Sequence, residues 1–216
     1  MDANYWQQRW ENNEIAFHRP EANPLLVKHF TALALAPGSR MFLPLCGKSL
    51  DIGWLLSRGY RVAGAELSRI AIEQLFAELG LKPRIVKVAG LEHFSAANID
   101  VFVGDIFGLT GDLLGPVEAV YDRGALVALP ATMRSRYSAH ITGMTKDAPQ
   151  LLICYEYDQN IREGPPFAIS KEELDRLYGG HFELSLLASI KTSGGVMGRF
   201  PAQEQAWLLT PRLKSS

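Results

Sequence analysis

From residue 23 onward, short apolar runs alternate with stretches of helical period, and turn residues separate them. Asn23-Pro24 reads as a helix start, with Asn as the cap and Pro in the first turn. Leu25, Leu26, Phe30 and Leu33 share one face of it, and Pro37-Gly38 ends it. Arg40 to Leu45 predicts a short strand, Leu50 to Ser57 a helix closed by Gly59, and Arg61 to Glu66 a second strand. Ser68 caps a helix through Leu79, with Ile72, Leu75, Phe76 and Leu79 on its core side and Gly80 as its stop. Arg84 to Val88 alternates like an edge strand, while Ile99 to Gly104 and Val117 to Tyr121 read as buried strands. A helix entered at Pro130 runs to about Met144, and Leu151 to Tyr157 is strand-like. Ser170 with Glu173 predicts a capping box for a helix ending at Gly179-Gly180. Glu183 to Ile190 and Ala206 to Thr210 predict a closing hairpin.

Strand and helix repeating at this spacing imply βαβ units. The expected fold is α/β: a seven-stranded, mostly parallel sheet with helices on both faces and a terminal antiparallel pair. Residues 1–22 carry no strand pattern and are expected to form a helical arm, with a single domain over 23–216.

Composition narrows the function. A chain of 216 residues, 47% hydrophobic and 21% charged, can build a core without disulfides or a structural metal. A formal charge of −1 argues against a nucleic-acid partner. The longest run free of Asp, Glu, Lys and Arg is eleven residues, His29 to Ser39, well short of a membrane span. MDANYWQQRW has neither the basic nor the apolar region of a signal peptide, so a cytoplasmic protein is expected. Cys46 and Cys154 are too few for a disulfide scaffold, and His29, His93, His140 and His181 lack ligand spacing, so no metal is expected. Nothing demands an oligomer, and a monomer is the default.

In an open α/β sheet, ligands bind beyond the carboxyl ends of the strands at the switch point. Leu45-Cys46-Gly47-Lys48-Ser49 is the first strand-to-helix turn there; Gly47 either brings backbone to a ligand or only makes the turn. The segment lacks both the dinucleotide fingerprint and the P-loop pattern. Glu66 ends the second strand, where nucleotide-binding folds place an acid for ribose hydroxyls; the alternative is a solvated strand-end acid. Asp105-Ile106 ends the third strand and can meet an adenine edge or serve as a loop cap. Asp122 and Arg123 end the fourth, either paired with each other or facing a zwitterionic ligand or anionic substrate. Trp6 and Trp10 lie one helical turn apart, followed by Phe17 and His18; the stripe is either packing or an apolar lid over a sulfonium-bearing ligand. His18 is an acid/base candidate or a structural histidine. Cys46 sits in the crevice turn without a base in register, which favours a small apolar role over a nucleophile.

Together these residues resemble the thiopurine S-methyltransferase family in its shorter bacterial form. The resemblance runs in order through YWQQRW, AFH at 16–18, FLPLCGKS at 42–49, GAELS at 64–68, DIF at 105–107, YDRGALVAL at 121–129 and GPPF at 164–167. It implies a Rossmann-like fold that binds S-adenosyl-L-methionine as co-substrate. By motif, Trp10 and Leu45 would meet the cofactor's methionine and apolar parts, Glu66 its ribose, and Asp105 and Ile106 its adenine, with Gly47 a cofactor candidate from its place in the turn. Arg123 would stand at the cofactor carboxylate and substrate entrance, and Phe17 and Trp6 on the substrate side. After residue 180 the resemblance weakens; Lys191 and Arg199 are both candidates for the substrate-side cation.

The implied reaction is methyl transfer to the sulfur of aromatic or heterocyclic thiols, leaving S-adenosyl-L-homocysteine. Such a thiolate is already nucleophilic near neutral pH, so alignment matters more than a strong base. Asp122 or His18 could take a residual proton. Methylation of small selenium or tellurium compounds in metalloid detoxification fits the same family. A regulatory protein that holds S-adenosylmethionine without turning it over is the alternative of a different class, and the single-glycine turn disfavours a nicotinamide oxidoreductase.

Overall fold

The computed structural model describes residues 3–14, 21–192 and 201–213. It begins with α1 (Ala3–Glu11) and α2 (Pro24–His29), where the Asn23 side chain accepts from Leu25 N and Leu26 N and Pro24 stands at the first helical position. Then follow β1 (Arg40–Leu43), α3 (Leu50–Ser57), β2 (Arg61–Glu66) and α4 (Arg69–Glu78). The middle holds β3 (Arg84–Val88), β4 (Leu91–Ala96), β5 (Ile99–Val103), the single turn α5 (Gly111–Leu114) and β6 (Ala119–Arg123). Last come α6 (Ala131–Met144), β7 (Gln150–Glu156), α7 (Lys171–Tyr178), β8 (Phe182–Lys191) and β9 (Gln203–Pro211).

The strands form one mixed sheet in the order β3-β4-β5-β2-β1-β6-β7-β9-β8. The five central strands, β5 to β7 in that order, are parallel, and both flanking pairs are antiparallel. The expected count of seven is therefore corrected to nine. Eight of the nine strands overlap the strand-like segments named above, one more than the expected count; the ninth, with no counterpart among them, is β4, which pairs with the expected edge strand β3.

Alternation along the strands divides the core. Phe42, Ala63, Phe102, Val120 and Leu152 face one side, under Tyr137 and Ile141 of α6 and Leu174 of α7. Met41, Val62, Val101, Tyr121 and Leu151 face the other, under Leu26 of α2, Ile52 of α3 and Ile72 of α4. Fully enclosed side chains such as Phe42 and Phe182 on one face and Ile52 and Leu55 on the other each contribute roughly 1.5–3 kcal/mol. Caps fix the helix starts that open onto the sheet's carboxyl edge: Ser49 for α3, Ser68 for α4 and Ser170 for α7. The expected capping box at α7 is half formed. Ser170 Oγ accepts from Glu173 N, while the Glu173 carboxylate is taken by Arg134 at 2.7 Å and Arg176 at 3.2 Å.

The chain passes from β1 outward through β2 to β5, then returns across β1 to β6. The switch point lies between β1 and β6, and the carboxyl ends of the parallel strands converge there.

Candidate active site

The turn after β1 is held in shape from several directions. Cys46 N donates to Ala65 O, Ser49 N to Cys46 O, and Lys48 Nζ lies 2.6 Å from Glu78 of α4. Leu45 has φ 45° and Gly47 φ 50°. A leucine in the left-handed region costs about 1–2 kcal/mol, so the surrounding bonds must hold it.

Glu66 does much of this holding. Its Oε2 accepts from Gly47 N at 2.8 Å and its Oε1 from Ser68 N at 2.9 Å, joining the ends of β1 and β2. The side chain is buried, which excludes the solvated strand-end acid. Burial raises its pKa from the ordinary carboxylate value, opposed by N–H donation from Ser68, Gly47 and Leu67. Cys46 lies beneath: a Cβ at Gly64 would stand 2.9 Å from Cys46 Sγ. Burial, with Glu66 nearby, pushes that thiol well above its usual range, so it packs as a small apolar group rather than a nucleophile.

Above the turn stands α1. Trp10 is buried, and a Cβ added at Gly47 would come within 2.9 Å of its Cζ2. The helix thus closes over the glycine turn through one indole. Trp6, one turn earlier, is half-buried, its ring edge-on to Tyr5 at 5.2 Å. Phe17, His18 and Arg199 lie outside the described residues.

After β5, the exposed Asp105 caps a 3₁₀ turn by accepting from Phe107 N at 3.0 Å, and Ile106 is buried behind it. His140 Nε2 lies 2.9 Å from the Ile106 carbonyl, and the Arg136 guanidinium stacks 3.8 Å over the Phe107 ring. The adenine-side candidates therefore sit on a turn braced by α6.

The end of β6 corrects one expectation. Asp122 and Arg123 do not pair, because successive strand residues face opposite sides of the sheet. Asp122 turns toward α6, accepting from Tyr137 Oη at 2.7 Å and Leu126 N at 3.1 Å. Burial raises its pKa to about 6, partly opposed by the bonds from Tyr137, Leu126 and Ala125. Arg123 turns to the other face, where its Nη1 lies 3.3 Å from Ser49 Oγ and 3.3 Å from Asp51 Oδ2.

Asp51, in the first turn of α3, was not among the residues that the sequence singled out. It is almost wholly buried, and besides Arg123 it accepts from Asn23 N at 2.7 Å and Tyr121 Oη at 3.0 Å. The available signal was strand parity: Tyr121 and Arg123, two apart, share a face that needs a buried acceptor.

The GPPF segment forms a further wall. Phe167 N donates to Val127 O at 2.7 Å, tying it to the turn after β6, and Arg134 stacks its guanidinium 5.2 Å from the Phe167 ring. Arg134 is itself buried and donates to Leu129 O at 2.9 Å. The strand ends thus gather a buried carboxylate, an indole over a glycine turn, a capped 3₁₀ turn and a braced guanidinium around the switch point. Among the described residues no cluster of three or more His, Cys, Asp or Glu could hold a metal ion.

Comparisons with known proteins identify the family and the fold. A family model described as thiopurine S-methyltransferase matches residues 1–198. The chain is 52% identical over 210 residues to a thiopurine S-methyltransferase of Xanthobacter autotrophicus, covering 97% of this chain and 99% of that one. It is 46% identical over 215 residues to one from Gluconobacter oxydans, covering 100% and 98%. Among solved structures it shares the fold of 1,6-didemethyltoxoflavin-N1-methyltransferase from Burkholderia thailandensis, with TM-score 0.64, 15% identity and coverage of 96% and 87%. A SAM-dependent methyltransferase from Anabaena variabilis aligns with TM-score 0.62, 15% identity and coverage of 97% and 95%.

Proposed function

Since this chain belongs to the thiopurine S-methyltransferase family, we propose that it moves the methyl group of S-adenosylmethionine to the sulfur of aromatic or heterocyclic thiols such as thiopurines. The observation that carries the reading is the buried Glu66 carboxylate at the end of β2, joined to the Gly47 turn beside the switch point.

The residues fit the co-substrate. Two carboxylate oxygens offer about four lone pairs, so Glu66 keeps capacity for hydroxyls of a vicinal diol beyond its backbone donors. Asp105 and Ile106 would meet the adenine, and Leu45 and Gly47 the backbone side of the ligand. Trp10 supplies an aromatic wall that attracts a sulfonium. When bound, S-adenosylmethionine supplies an electrophilic methyl group.

The chain's part is alignment. Arg123, braced from below by Ser49 and Asp51, presents positive charge to an anionic acceptor or to the cofactor carboxylate. Holding nucleophile and electrophile in line supplies effective molarities on the order of 10⁵ M or more, and a thiolate needs no strong base. Asp122, bound by Tyr137 on the opposite face, holds the loop after β6 rather than moving a proton. Trp6 of α1 and, by the family resemblance, Phe17 would serve the substrate side, with Arg199 or Lys191 as the substrate-side cation. His18 remains the candidate to receive any residual proton.

The reading extends to a monomer acting in the cytoplasm on small molecules. Both cysteines, Cys46 and Cys154, are buried free thiols, which supports a reducing compartment. No helix among the described residues is long and apolar enough to cross a membrane. An acceptor screen with radiolabelled S-adenosylmethionine tests the proposal. Label should move to thiopurine and aromatic thiols. Transfer confined to selenium or tellurium compounds would overturn the acceptor assignment in favour of metalloid methylation, and binding without transfer to any acceptor would indicate a regulatory protein.

A further inference from the structure

Asp51 lies behind the site, in the first turn of α3, and only 1% of it is exposed. Its Oδ1 accepts the backbone N–H of Asn23 at 2.7 Å, and its Oδ2 accepts both Tyr121 Oη at 3.0 Å and Arg123 Nη1 at 3.3 Å. One buried carboxylate therefore joins the residue that opens α2, the strand beside the switch point and the guanidinium at its end. Asn23 extends the chain of contacts, its Nδ2 donating to Glu204 Oε1 at 2.9 Å on β9. A carboxylate enclosed this fully must be compensated on both oxygens, and here backbone, hydroxyl and guanidinium do so.

We infer that Asp51 is the positioning residue that fixes the direction of the Arg123 guanidinium. Arg123 is otherwise held at Ser49 Oγ, a neutral acceptor at 3.3 Å that can set neither its charge balance nor its tilt alone. The Arg123 side chain is 16% exposed, so the pair is poorly screened and its geometry persists in salt. Tyr121 on the same oxygen limits where the guanidinium can settle. The inference rests on the proposed role of Arg123, and its test separates the two.

The test is a double-mutant cycle on purified enzyme, reading kcat/KM toward an anionic thiopurine alongside thermal stability and S-adenosylhomocysteine titration. Arg123→Lys keeps charge and loses the planar fork; about a tenfold fall in kcat/KM is expected. Asp51→Asn should fall by a similar factor with the same division between KM and kcat. The double variant should lose about tenfold, not a hundredfold, because both changes undo one geometry. Asp51→Glu, which restores the charge, should recover part of the loss. Should Asp51→Asn not fold, Tyr121→Phe decides: freeing Oδ2 of one donor shifts the acceptor KM by about two- to threefold, and an unchanged KM overturns the inference. Wild-type kcat/KM in a folded Asp51→Asn, or a full hundredfold additive loss, overturns it while leaving Arg123 in place. A silent Arg123→Lys with a silent Arg123→Ala overturns the role of Arg123 itself.

Discussion

The Trp10 indole occupies the space that a side chain at Gly47 would need: a Cβ built there lies 2.9 Å from Trp10 Cζ2 and 3.4 Å from Cη2. Gly47 also has φ 50°, so both backbone and space disfavour a side chain there. Gly47→Ala should therefore weaken cofactor binding by at least tenfold and displace α1. Tryptophan fluorescence would report the displacement and calorimetry the affinity. A variant with unchanged emission and unchanged affinity would mean that the indole and the turn do not act together.

The arm that carries Trp10 should respond to ligand. Residues 1–22 are expected to slow in amide exchange when S-adenosylhomocysteine is added, because the indole closes over the turn where the cofactor would lie. Protection that is already high and does not change on addition would make α1 a fixed part of the core.

Asp122 predicts a pH effect. Its folded-state pKa of about 6 exceeds the ordinary 3.8, so the folded protein binds this proton more tightly than the unfolded chain does. Its contribution to stability is therefore greatest below about pH 4 and is lost as pH rises to about 6. A shift of about two units corresponds to roughly 3 kcal/mol. Asp122→Asn should remove that slope, seen as a difference from wild type between urea denaturation at pH 4 and at pH 7. Parallel pH profiles for the two proteins would contradict the assignment.

Much of the fold was legible because patterns were local. The bounds of α3, β2 and β3 follow from their residues alone, and Ser49, Ser68 and Ser170 mark helix starts by the same chemistry that caps them. β4 was not legible. It follows β3 through Ala89 at φ 47° and Gly90 at φ 83°, a tight turn made without the usual Asn-Gly signal. Its burial recurs at Leu91 and Phe94, three apart, rather than alternating.

The site divides in the same way. Glu66 and Gly47 could be found because each ends or follows a strand, a position the sequence marks. For Arg123, strand parity points to a buried acceptor but not to which residue supplies it, since Asp51 lies 72 positions away and meets it only through the crossover. Nothing local distinguishes Asp51 from a helix acid that faces water.

Calorimetric titration of S-adenosylhomocysteine into wild type and Glu66→Gln tests the central claim most directly. A charge-assisted bond to a hydroxyl is worth roughly 1.5–3 kcal/mol, so the Kd should rise by about ten- to a hundredfold in a variant that keeps its fold. The same affinity in a folded Glu66→Gln would contradict the account, because the buried carboxylate at the end of β2 would then hold only the turn.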